Sequence, residues 1–265
     1  MTKIQEIIEK LPDLSETVFK LQKMREQPDT EIVQVLDILE ENRFIVAKIM
    51  KIANSKLFRF ANRIDTLNNA VLLFGINFTT SVAISESINN SLIPKLNLYP
   101  ITKEEFFQLS EKSTKLMMLW LKKDNLVLKE ELITPCLISR IGTFLVSDLV
   151  QKEEHERFLL EIKENPTKVF QIEKKFTNFS SSEITAKMLE YWGFDEKLIN
   201  IIKNIDNLNS KQSAILAILN LIFNPVSPFS KESILQGLTL ADKFNLNPNR
   251  LKEAIEEFIA LNKND

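Results

Sequence analysis

IMKIANSKLFRFANRIDTLNNAVLLFGI, residues 49–76, decides how the rest of the chain is read. Apolar residues at helical spacing run to Ala53, and then Asn54 and Ser55 interrupt them. Short polar side chains compete for nearby backbone groups, so this pair fits a helix end that ties down the following loop. A second apolar run starts at Leu67 and meets Gly75. A glycine there fits a helix terminus or a close approach of two backbones. Nothing in the stretch alternates with the period of a strand.

The same periodicity extends outward. In EIVQVLDILEEN, Ile32, Val35, Leu36 and Leu39 make one helical face. Asp29, after Pro28, suits the helix start before it. Thr102 with Glu105, and Ser180 with Glu183, have capping-box spacing, while Asn247 before Pro248 reads as a cap and first turn. VLLFGINFTTSVAI (71–84) and SAILAILNLIF (213–223) are apolar nearly all round, which places them centrally in a core. The chain of 265 residues has only four glycines, against a usual ~7%. Hairpin turns and phosphate-cradling loops are thereby nearly excluded. The expectation is an all-α protein of thirteen to fifteen helices. IPKLNLYPIT (93–102), with two prolines and no helical period, divides it into an N-terminal helical part (1–95) and a C-terminal helical part (96–265).

Several chemistries lose their footing on composition. The net charge is −2 and the pI near 5.8, so the whole chain has no polyanion-binding character. One cysteine, Cys136, makes no internal disulfide, and the one histidine, His155, sits among Glu153, Glu154 and Glu156. Consecutive helical residues point in different directions, so those four read as a solvated face, not a metal site. HExxH, CxxC, P-loop, GxGxxG and GxSxG patterns are all missing. The start, MTKIQEIIEK, carries two glutamates and lacks the pattern of a secretory signal. The apolar run AILAILNLIF falls short of the ~20 residues of a membrane span. A cytoplasmic, non-enzymatic protein without cofactor or membrane contact is expected.

Residues 42–64 are the exception in charge: Arg43, Lys48, Lys51, Lys56, Arg59 and Arg63 occur with no acid between them. These cations could simply be solvated. The functional alternative is a surface for an acidic partner or a phosphate-bearing ligand, with Phe58 as an apolar anchor. Nucleic acid is the weaker expectation, since no recognition module accompanies the patch.

The run from Leu11 to Leu92 resembles the HDOD family, the HD-related output domain of bacterial signalling proteins. The resemblance rests on Leu11, Pro12 and Leu14, then Ala53, Asn54, Ser55 and Phe58, then Ile64, Thr66, Ala70 and Gly75. For Leu11, Pro12, Ala53, Asn54, Ser55 and Gly75 it implies architectural roles. The C-terminal part is similar to the portion of HDOD proteins related to HD-type metal phosphohydrolases. There the resemblance sets LISRIG (137–142) against LLHDIG, so Ser139 and Arg140 stand where a metal-binding His-Asp pair would be. By the same alignment Ser181 stands at a histidine position, and Ile205 and Asp206 at a histidine pair. The resemblance thus implies a degenerate metal site and a signalling role through another protein. Arg140 would then either plug the dead site, by pairing with Asp206 or reaching solvent, or bind a nucleotide or other phosphate ligand with Ser139, Ser181 and Asp206 around it.

Overall fold

The computed structural model describes residues 2–27, 30–55, 63–93, 95–122 and 126–262. It is all-helical, and no strand occurs among the described residues. In chain order the helices are α1 (Lys3–Ile8), α2 (Glu16–Glu26), α3 (Ile32–Glu40), α4 (Arg43–Ala53), α5 (Leu67–Phe74), α6 (Ile76–Ser91), α7 (Lys103–Trp120) and α8 (Leu126–Ile138). They continue with α9 (Thr143–Leu149), α10 (His155–Glu164), α11 (Val169–Thr177), α12 (Ser181–Tyr191), α13 (Glu196–Lys203), α14 (Lys211–Ile222), α15 (Lys231–Lys243) and α16 (Pro248–Asn262). These sixteen exceed the expected thirteen to fifteen because two apolar runs each break in two, one at Gly75 and one at LISRIG.

The chain forms two compact units. One comprises residues 12–92 with 259–262, the other residues 2–11 with 93–258. The first eleven residues therefore cluster with the C-terminal part: α1 packs on α9 and α12, burying Ile4 and Ile8.

In the 12–92 unit, α6 is the central element and α2, α3, α4 and α5 pack around it. Its hydroxyls survive burial because they bond back into their own helix. Thr79, Thr80 and Ser81 donate to the carbonyls of Gly75, Ile76 and Asn77 at 3.0, 2.8 and 2.6 Å. Gly75 ends α5 with φ +82°, a conformation side chains disfavour, and α6 leaves at 117° to α5. A Cβ there would meet nothing within 4 Å, so its role is conformational and not one of close packing.

Asn54 closes the loop after α4. Its amide donates to Ile64 O at 2.8 Å and to Met50 O at 3.0 Å, and its Oδ1 accepts from Ile64 N at 2.8 Å. One side chain thus imitates a strand partner for Ile64. Asn54→Ala should cost about 2 kcal/mol, because two backbone groups of the nearly buried Ile64 lose their partner. Chemical denaturation would check this, and an unchanged midpoint would show that the loop anchors itself elsewhere. Ser55 donates its backbone N–H to Ile52 O at 3.0 Å, and Ala53 is buried.

In the other unit α14 is central, packing on α7, α8, α13 and α15. The capping boxes at Thr102/Glu105 and Ser180/Glu183 are both formed, and Asn247 Oδ1 accepts from Arg250 N. Helix α3 is capped by Glu31; Asp29 lies outside the described residues. Among the described residues Leu126–Leu149 is by itself long and apolar enough to cross a bilayer, longer than the AILAILNLIF stretch, and 94% of its apolar window is buried.

Candidate functional site

LISRIG forms the turn between α8 and α9, and its glycine explains why that turn sits where it does. A Cβ on Gly142 would stand 2.2 Å from Ser181 O and 2.7 Å from Thr185 N. The start of α12 therefore lies directly on the Gly142 backbone. Gly142 N donates to Thr185 Oγ1 at 2.9 Å, and that hydroxyl lies 2.8 Å from Ser181 O and 3.1 Å from Ser139 O.

The five positions of the expected degenerate site do not share one pocket. Ser139 Oγ turns to Asn220 Oδ1 on α14, 3.4 Å away. Arg140 turns toward α7 and α14, donating from Nη2 to Ser113 Oγ at 3.0 Å and to Leu219 O at 3.4 Å. Ser181 gives its backbone N–H to Glu173 Oε2 at 2.9 Å. Ile205 is buried, while Asp206 is exposed and accepts from Ser182 Oγ at 2.9 Å and from Ser180 Oγ. Among the described residues no group of three or more His, Cys, Asp or Glu could hold a metal. The donor set at these positions, two serines, an arginine, an isoleucine and one aspartate, does not fit such an ion.

Arg140 corrects the plug expectation. It is 1% exposed, so it does not reach solvent, and it does not pair with Asp206. Among the described residues its Nε and Nη1 have no hydrogen-bond partner. Burial depresses the guanidinium to about 10, opposed only by the proximity of Cys136. Burial also lifts the Cys136 thiol to about 11, so at neutral pH the thiol is uncharged and supplies no counter-ion.

A second polar centre, which the sequence reading missed, lies at the start of α12. Glu173 is fully buried, and Tyr99 donates its hydroxyl to Oε1 at 2.8 Å while Ser181 N donates to Oε2. Burial raises the Glu173 carboxyl to about 7, the hydrogen bonds from Ser181 and Tyr99 oppose this, and Asp206 adds to it. Tyr99 is pushed well above its usual value, by burial first and then by Glu173. In the sequence Glu173 is one acid in EKKF, and its spacing sets it on the buried face of Val169 and Ile172, where an acid needs a partner. The cue available was SSSE, a helix start whose free N–H groups attract a carboxylate.

The basic stretch is less uniformly open than its charges suggest. Lys48 is largely covered and lies 3.8 Å from Glu86, and Arg63, widely exposed, lies 3.6 Å from Asp65. Arg43 and Lys51 are exposed, and Phe44, 61% exposed, lies under the Arg43 guanidinium at 5.1 Å. Lys56, Phe58 and Arg59 lie outside the described residues. A surface depression of about 630 Å³ lies elsewhere, between α13 and α14, lined by Asn200, Asn204, Asn209 and Gln212 with Glu196 and Lys197 among its other walls. Its lysine is held by Glu131 at 2.6 Å, so it lacks the free cations a phosphate needs.

Comparison with known proteins places this geometry. The HDOD domain profile matches residues 11–208, and the chain belongs to the HDOD family. Among solved structures, one from Shewanella amazonensis SB2B, provisionally assigned as a phosphohydrolase, has a TM-score of 0.70 at 16% identity, over 98% of this chain and 94% of that one. An HDOD domain protein of unknown function from Geobacter sulfurreducens has a TM-score of 0.67 at 15% identity, over 97% of each chain. One from Marinobacter aquaeolei VT8, provisionally a signal transduction protein, has a TM-score of 0.68 at 14% identity, over 98% of this chain and 60% of that one. These likenesses are likenesses of fold. No curated protein matches the sequence significantly.

Proposed function

We propose that this chain is a non-catalytic regulatory module that acts by binding another signalling protein. The observation that carries the reading is Arg140: the position implied to hold a metal ligand instead holds an enclosed permanent cation. Without a metal or an activated water nothing at these positions would generate a hydroxide nucleophile at neutral pH. HDOD membership supports a regulatory role, and so does the signal-transduction assignment of the Marinobacter protein.

The contact surface we assign is the outer face of α4, where Arg43, Phe44 and Lys51 are exposed at helical spacing. An aromatic flanked by cations suits an acidic partner. Arg43→Glu with Lys51→Glu should abolish capture of the partner and leave the thermal midpoint within about 2 °C, since surface changes rarely exceed ~0.5 kcal/mol. Retained capture would remove α4 from the interface. Hydrolysis of a phosphodiester by the purified protein with added Mn²⁺ would sink the non-catalytic reading.

A nucleotide or other phosphate-bearing ligand is the second reading. The unpartnered Nε and Nη1 of Arg140 favour an anion. Its enclosure, and the outward-facing Asp206, disfavour one as large and as negative as a nucleotide.

A further inference from the structure

We propose that Arg140 anchors an interior binding site for one small monovalent inorganic anion of the halide class. The guanidinium is 1% exposed, and Nη2 is fixed by Ser113 Oγ and Leu219 O, which sets the direction of the remaining donors. Nε and Nη1 are those donors, and neither has an acceptor. Thr143, whose N–H donates to Arg140 O, carries another fully buried hydroxyl without a partner. Three unmet polar groups within one turn of chain are unusual, because buried donors are nearly always satisfied.

Charge decides what would satisfy them. Among the described residues no carboxylate acts on Arg140, whose one titratable neighbour is Cys136, and that thiol is neutral at physiological pH. Water could accept the hydrogen bonds but would leave a bare cation in the core, where an uncompensated charge is most costly. A monovalent anion removes both deficits together. A phosphate dianion would replace a surplus positive charge with a surplus negative one, and a nucleotide could not reach an enclosed guanidinium without displacing α7, α8 or α14. Chloride is cheaper to dehydrate and needs few donors. Bound there, it would neutralise a guanidinium whose Nη2 already ties the α8–α9 turn to α7 and α14. The inference stands apart from the signalling reading, and either can fail alone.

The test is thermal unfolding of the full chain at constant ionic strength, with chloride stepwise replacing gluconate, an anion too bulky for an enclosed site. The quantity read is the midpoint of the wild type minus that of Arg140→Met. In gluconate the variant should be the more stable of the two, since it carries no buried charge. Above the dissociation constant, each tenfold rise in chloride should shift the difference toward the wild type by roughly 3–5 °C. A difference that stays constant across the series overturns the site, since general salt effects act on both proteins alike. If Arg140→Met does not fold, bromide anomalous diffraction from wild-type crystals decides. A peak beside Nε and Nη1 supports the site, and no peak there overturns it.

Discussion

Gly142→Ala is expected to destabilise the protein by about 3 kcal/mol or more, lowering the thermal midpoint by roughly 10 °C. The sign is the informative part. Gly142 has φ −58° and ψ −23°, ordinary for any residue. On backbone preference alone, alanine here should therefore stabilise by about 0.5–1 kcal/mol. The added methyl, however, would lie 2.2 Å from Ser181 O and 2.7 Å from Thr185 N, and both are backbone atoms of a helix start that cannot rotate away. The turn and α12 would have to separate, losing the 2.9 Å bond from Gly142 N to Thr185 Oγ1. Calorimetric comparison of the two proteins settles the matter. A variant as stable as the wild type would mean that α12 does not rest on this turn.

The second large effect is one of pH. The Glu173 carboxyl is held near 7 in the folded protein, whereas a free glutamate titrates near 4.3. The folded state thus binds this proton more tightly than the unfolded chain does. The resulting stability is fully present below the unfolded value and is lost as pH rises through 7, by about 3 kcal/mol. Denaturant midpoints should therefore fall from pH 5 to pH 8. Both proteins are compared on a background in which His155, the chain's one histidine, is replaced by glutamine. Glu173→Gln should flatten the profile while keeping the fold. Its carbonyl can accept from Ser181 N, and its amide can donate to the Tyr99 hydroxyl, which now accepts. A slope that persists in the glutamine variant would place the titrating group elsewhere.

Much of this architecture could be read before any coordinates. Apolar spacing and scarce glycine give the all-helical class, and capping pairs such as Thr102/Glu105 locate helix starts, because those signals are local. Asn54 was legible as a loop anchor for the same reason. The interior was not. Arg140 next to Ser139 suggested a vanished site, but the direction of a side chain depends on helices distant in sequence. Here Ser113 and Leu219 draw Arg140 one way, while Ser180 and Ser182 hold Asp206 at the surface. Glu173 shares a helix face with Val169 and Ile172, but the partners that make an acid tolerable there, Tyr99 and Ser181, lie 74 and 8 residues away.

The placement of α1 has a consequence for biosynthesis. Its apolar residues Ile4 and Ile8 are translated well before their partners, since α9 starts at residue 143 and α12 at residue 181. At ~5–20 residues per second, that leaves roughly 7–28 s before even α9 is there for α1 to dock on. Residues 12–92, all of their unit except its C-terminal piece, are made much sooner and can condense around α6 in the meantime. Helix α1 is therefore secured only once helices far downstream have followed it, and on a chain stalled before them it is a segment left for chaperones to find.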